Sequence, residues 1–155
     1  AVIVAFAKAC GLEGMAGGQI LDLQSEPGLS ETYLQQTHNL KTGAIIKACI
    51  TLPAILNNCP ENALNKLSEF GQKLGLLFQI VDDILDIKGN AQQIGKTSRK
   101  DIDQNKLTYV TLWGLKKAEE IADQTAKESE ALLKQLPYNT TCLAQFVDYI
   151  RTRLH

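Results

Sequence analysis

The chain has 155 residues, a length typical of one domain. Its formal net charge is −1 and 45% of its residues are hydrophobic, which indicates an ordinary soluble globular protein and argues against a nucleic-acid partner. The sequence holds no apolar run near the roughly 20 residues that a membrane-spanning helix needs. We therefore expect a cytoplasmic protein without a transmembrane segment.

Four cysteines occur, and none belongs to a CxxC pair or lies near a histidine cluster. This pattern predicts reduced thiols rather than a disulfide framework or a zinc site.

The chain begins inside an apolar helical pattern, with neither a methionine nor a capping residue before it. Val2, Ile3 and Phe6 already recur at helical spacing. A helix start usually shows Ser, Thr, Asp or Asn ahead of the apolar run. We therefore expect that residue 1 is a cut point, that a helical segment preceded it, and that this first helix runs to about Gln24.

Glycines interrupt this first predicted helix. Gly11, Gly14 and Gly18 fall three and four residues apart and so share one side. Three glycines on one side of a helix indicate either a close helix–helix contact or the wall of a cavity, and the spacing alone favours the contact. Gln19 and Asp22 would place polar groups beside it.

The second predicted helix has a clear start at Ser30, an N-cap residue, and runs to about Leu56. Lys41 shares one side with Ala44 and Ala48, a pattern that suits a lysine reaching into a pocket with small walls. His38 lies on the same side, but no second histidine is near. By itself we expect it to be a surface or boundary residue.

The third predicted helix starts at Pro60-Glu61 and ends near Gly89. Helical spacing places Gln79, Asp82, Asp83 and Asp86 on one stripe. Carboxylates this close repel one another, and a bridging divalent cation would explain them. Because Gly75 lies on the same stripe, we expect the carboxylates to face a space rather than a packed partner.

A polar segment follows these aspartates and is rich in cations: Lys88, Lys96, Arg99, Lys100 and Lys106. It predicts either a solvated basic loop or, together with a metal, a clamp for a diphosphate. A P-loop is excluded, because Asn90 stands where that motif needs its first glycine.

Two more helices follow, one from about Gln104 to Gln135 and one after Asn139 or Thr140. We find no strand pattern. The sequence thus predicts an all-α fold of about five long helices packed as a bundle.

Four segments, in order, resemble one family, the trans-isoprenyl diphosphate synthases. They are GMAGGQILDL, HNLKTGAII, FQIVDDILD and GKTSRKDIDQNKLTYVTLWG. The third resembles the family's second aspartate-rich motif, and the HxxKTG form is most similar to bacterial farnesyl and geranylgeranyl diphosphate synthases. The resemblance covers roughly residues 7–114.

The resemblance implies an isoprenoid-synthase helical bundle and a prenyltransferase that condenses isopentenyl diphosphate with an allylic diphosphate, assisted by Mg²⁺. Such enzymes are commonly homodimers. The implied roles are metal binding by Asp82, Asp83 and Asp86; diphosphate binding by Lys41, Lys96 and Lys106; stabilisation of the allylic cation by Thr42 and Gln79; a cavity wall at Gln19 and Asp22; and loop orientation by Asp101.

The family uses two aspartate-rich motifs, and no candidate for the first lies between Ala1 and Gln79. We therefore expect residues 1–155 to be the C-terminal half of one all-helical synthase domain, inactive alone. Two alternatives stay open: another class I terpenoid enzyme such as a cyclase, and a non-catalytic helical partner subunit.

Overall fold

A computed structural model describes residues 2–26, 28–93 and 107–154 of the chain. Over these ranges the chain is helical and contains no strand, which confirms the all-α prediction. The α-helices are α1 (Val2–Cys10), α2 (Met15–Leu23), α3 (Glu31–His38), α4 (Ala44–Leu56), α5 (Glu61–Gln93), α6 (Tyr109–Trp113), α7 (Leu115–Leu133) and α8 (Thr141–Thr152). A π-helical segment, Asn39–Gly43, joins α3 directly to α4.

Glycines divide two of the about five predicted helices into shorter pieces. The first predicted helix is divided into α1 and α2 by a turn that ends at Gly14. The fourth is divided at Gly114, whose φ of +81° is a left-handed conformation that other residues adopt only with strain.

The long helical run from α3 to α4 matches its prediction. The Ser30 hydroxyl accepts a hydrogen bond from the Tyr33 amide at 3.3 Å and so caps α3. Pro53 lies inside α4, and the helix continues to Leu56. By length and composition this run, Glu31–Leu56, could cross a membrane, a test that core helices of soluble proteins also pass.

Helix α5 forms the centre of the fold. Phe70, Leu74, Leu77 and Ile84 are fully buried along it. Helix α7 packs on one side through small residues spaced four apart, which allow a close approach: Ala118, Ala122 and Ala126. The α4 helix packs on another side.

The α5 and α4 backbones run antiparallel and approach closely at two glycines. A β-carbon on Gly71 would lie 2.8 Å from the Lys47 Cα, and one on Gly75 would lie 2.6 Å from the Gly43 Cα. The space that we expected beside Gly75 is therefore filled by the backbone of the π segment.

Helices α1 and α2 carry an exposed apolar surface. No residue of α1 is buried, although the helix is apolar around most of its circumference. Ile3 is 85% exposed, Leu12 is 74% exposed and Leu23 is 77% exposed. A helix that is apolar all round is normally covered on every side, so this surface is typical of one that packs against further protein.

The glycine contact between α5 and the π segment gives a stability prediction. Gly75→Ala should lower the free energy of unfolding by about 1–3 kcal/mol, because the added methyl forces two backbones apart. Gly89→Ala is the matched control, since nothing lies within 4 Å of its β-carbon position. It should raise stability by about 0.5–1 kcal/mol through helix propensity. Urea unfolding of both variants measures this, and an unchanged Gly75→Ala midpoint would contradict the contact.

Candidate metal and diphosphate site

One end of the bundle collects most of the described residues that the sequence singled out. The antiparallel pairing of α4 and α5 brings the part of α5 after Gly75 opposite the π segment, which contains Lys41 and Thr42. π-Helical turns widen a helix by one residue and are frequent at functional sites. Here the π-helical turn contains Lys41, which shares one side of the helix with the small residues Ala44 and Ala48.

Lys41 is held in an ion pair. Its Nζ donates to Asp22 Oδ2 of α2 at 2.7 Å, and the two side chains are 27% and 16% exposed. Gly18 makes this possible, because its missing side chain lets α2 lie against the backbone at Lys41. The predicted packing role of that glycine is therefore confirmed. Asp22, expected on a cavity wall, instead directly fixes the lysine, while Gln19 is exposed.

Asp82 also has a cation beside it. Its Oδ1 accepts from Arg153 Nη1 at 3.0 Å, and the guanidinium lies 5.3 Å from the centroid of the Phe78 ring. Burial raises the pKa of Asp82, and the nearby Asp86 carboxylate raises it further, while Arg153 opposes both effects. A carboxylate with a raised pKa gains from any additional cation placed beside it.

Asp83 faces a different partner. Its Oδ2 accepts a hydrogen bond from the Tyr109 amide at the start of α6, at 2.9 Å. The Tyr109 ring packs between two other rings: its centroid lies 5.7 Å from that of His38 and 5.1 Å from that of Trp113. Burial raises the pKa of Tyr109 to about 12, so its phenol is neutral at neutral pH. Asp83 thus joins α6 to the aspartate stripe.

The three carboxylates do not converge on one point in the part of the chain that the structure describes, where no group of three Asp, Glu, His or Cys side chains could enclose a metal. Asp82 and Asp86 share a side of α5, and Asp86 is exposed. The expectation of a space free of packed partners was wrong for Asp82 and Asp83, because α8 and α6 supply partners.

The residues still fit a magnesium ion in chemical type. Mg²⁺ commonly takes one or two carboxylates from the protein and completes its shell with phosphate oxygens and water. Asp82 and Asp86, four residues apart on one helix face, supply such a pair of hard oxygen ligands. The arrangement suits an open site that a bound phosphate would complete, rather than a closed cage.

Three predicted site residues, Lys96, Asp101 and Lys106, lie outside the described residues. Gln79 and Thr42 are half-buried on the two facing segments. His38, expected at the surface or boundary, is buried with 5% exposure because Tyr109 covers it.

Sequence reasoning missed Arg153 and Tyr109 as members of this end of the fold. Both reach the aspartates from helices that are distant in sequence, so no local spacing could indicate the contact. Tyr109 lies inside a segment that carried the family resemblance, which was the one available signal.

Comparison with protein families gives a match to the family described as Polyprenyl synthetase over residues 2–150. A dimethylallyltranstransferase of Fischerella ambigua is 36% identical across 99% of this chain and 45% of its own length. A chloroplastic geranylgeranyl pyrophosphate synthase of Catharanthus roseus is 35% identical across 98% of this chain and 43% of its own. The chain therefore spans less than half the length of these relatives.

Solved structures show the same relation. An FPP/GFPP synthase of Zymomonas mobilis superposes with a TM-score of 0.80 at 28% identity, over 96% of this chain and 49% of its own. A Helicobacter pylori geranyltransferase, complexed with magnesium and isoprenyl diphosphate, gives a TM-score of 0.77 at 28% identity, over 99% and 50%.

The helical fold, the four sequence segments in the family's order and the match over residues 2–150 all indicate the same family. The chain belongs to the polyprenyl synthetase family.

Proposed function

We propose that this chain is the C-terminal half of a prenyltransferase that condenses isopentenyl diphosphate with an allylic diphosphate, as in geranyl, farnesyl or geranylgeranyl diphosphate synthesis. The observation that carries the proposal is that the π segment, which holds Lys41 in its ion pair with Asp22, packs against α5, the helix that carries the aspartates. Cations and carboxylates on rigid helices suit the recognition of a metal-bound diphosphate. The reported relatives favour this reading over a cyclase or a non-catalytic subunit.

Asp82 and Asp86 would hold Mg²⁺, with Asp83 supporting them from its hydrogen bond to α6. When bound, the ion would neutralise charge on the departing diphosphate. The protein's own part is to hold these carboxylates in place. The backbone of α5 fixes their spacing, since Ile80, Val81 and Ile84 beside them are fully buried.

Lys41 would bind the leaving diphosphate. Its ion pair with Asp22 restricts the flexible side chain, so less conformational entropy is lost when an anion binds. Thr42 and Gln79 would place oxygens near the allylic cation. Lys96 and Lys106 would add positive charge, with Asp101 orienting their segment.

We propose further that residues 1–155 alone do not catalyse prenyl transfer. Two observations support this: the chain spans under half of its relatives' length, and α1 presents an uncovered apolar surface. The complete enzyme would be a cytoplasmic homodimer whose substrates are isoprenoid diphosphates.

The metal assignment predicts a coupled ligand effect. Mg²⁺ with inorganic pyrophosphate, at ten times the dissociation constant, should stabilise the chain by about 1.4 kcal/mol, roughly 3–6 °C in melting temperature. Either component alone at the same concentration should give a smaller shift, because each completes the other's site. Asp82→Ala should abolish the shift, measured by differential scanning fluorimetry.

Asp123→Ala is the matched control for that experiment. It removes an exposed carboxylate from α7 rather than from α5, and should keep the full shift. If Asp82→Ala has the melting temperature of the wild type and the same shift with Mg²⁺ and pyrophosphate, the metal role of Asp82 is wrong.

The half-site proposal predicts that purified residues 1–155 form no product from dimethylallyl or geranyl diphosphate with isopentenyl diphosphate and Mg²⁺. The physical reason is that the metal ligands and isopentenyl contacts of the other half are missing. Radiolabelled product extraction measures this, with the full-length Fischerella relative as positive control. Product above the protein-free blank would contradict the proposal.

A further inference from the structure

The turn that follows α8 is fastened to α5 beside the aspartates. Arg153 donates to Asp82 at 3.0 Å and lies over the Phe78 ring, one helical turn earlier on the same face. Lys88 Nζ donates to the Leu154 carbonyl at 3.1 Å. Lys88 is itself held by Glu119 Oε1 of α7 at 2.9 Å. The end of α8 therefore rests on α5 through contacts on either side of Asp82.

The Arg153–Asp82 contact is an ion pair of moderate exposure, with side chains 32% and 36% exposed. Pairs of this kind are held weakly, because water screens them and both side chains lose freedom. The guanidinium is charged at every physiological pH, so it neutralises Asp82 whenever the two are in contact. A second cation bound at the same carboxylate would be repelled by it.

We propose that Arg153 is the resident counter-cation of Asp82, and that a divalent cation bound by Asp82 displaces it and loosens the turn after α8. The proposal rests on the metal role of Asp82 proposed above. It adds a residue that acts through Asp82 and couples occupancy of the site to the state of the α8 end. The Lys88 contact to Leu154 does not involve Asp82, so the turn is released in part rather than undocked.

The opposite role for Arg153 is direct binding of a substrate diphosphate. The two roles predict opposite signs for the same variant. A counter-cation competes with the metal, so its removal strengthens metal binding. A diphosphate ligand assists the metal–diphosphate complex, so its removal weakens binding.

The test uses residues 1–155 and Mn²⁺ alone, with free Mn²⁺ measured by electron paramagnetic resonance. Arg153→Gln should bind Mn²⁺ about threefold to fivefold more tightly than the wild type, since no ion pair must first be broken. Arg151→Gln is the matched control. It removes the same charge two residues earlier, from a side chain without an ion-pair partner among the described residues, and should stay within about 1.5-fold of the wild type. Unchanged or weaker binding by Arg153→Gln would overturn the proposal.

Amide hydrogen exchange gives a second readout that does not depend on comparing metal affinities. Hydrogen exchange of the amides at residues 150–154 should be faster in metal-free Arg153→Gln than in the metal-free wild type. Saturating Mn²⁺ should accelerate the wild type towards the variant's rate and leave the variant unchanged. Protection that is equal in the two metal-free proteins, or that increases when Mn²⁺ binds the wild type, would refute the displacement.

Asp82→Asn separates failure of this proposal from failure of the proposed function. If Asp82→Asn binds Mn²⁺ as tightly as the wild type, the metal role of Asp82 is wrong and the displacement proposal falls with it. If Asp82→Asn loses Mn²⁺ while Arg153→Gln behaves as the wild type, only the displacement proposal is wrong.

Discussion

The close backbone contact between Gly75 of α5 and Gly43 of the π segment is the constraint on which the polar end of this fold depends. It sets the antiparallel pairing of α5 with α4, and so determines which residues lie opposite the stretch from Gln79 to Asp86. A side chain at Gly75 would separate the two segments. Lys41 would then lie farther from α5, the helix whose aspartates we propose to act with it on a metal-bound diphosphate.

At this end of the bundle, two of the charged side chains form ion pairs. Asp22 restrains Lys41, and Arg153 neutralises Asp82. Asp83 is satisfied by a backbone amide of α6. Lys41 and Asp82 thus each have an opposite charge beside them in the absence of substrate, which limits the cost of grouping like charges on one helix face. When substrate and metal bind, Lys41 and Asp82 must exchange these internal partners for charges on the ligands. That exchange is the basis of the proposed coupling between Asp82 and the turn after α8.

The sequence predicted the helical class, the Ser30 cap and the extent of the second helix to Leu56, because each depends on local spacing or on one side chain near the backbone. It failed where distant segments meet. The turn at Gly14, the cover that Tyr109 provides for His38, and the Arg153 contact all depend on tertiary packing. Spacing placed Asp82, Asp83 and Asp86 on one stripe, but only the fold shows that Asp83 turns towards α6 while Asp82 and Asp86 share a side.

The central claim is that Asp82 and Asp86 hold a divalent cation together with a diphosphate. Crystals of residues 1–155 grown with Mn²⁺ and inorganic pyrophosphate test it directly through anomalous scattering. The account predicts an anomalous peak within about 2–2.5 Å of oxygens of both carboxylates and of the pyrophosphate, with Arg153 withdrawn from Asp82. Pyrophosphate bound without a metal peak at Asp82, or a metal held only by other residues, would contradict it.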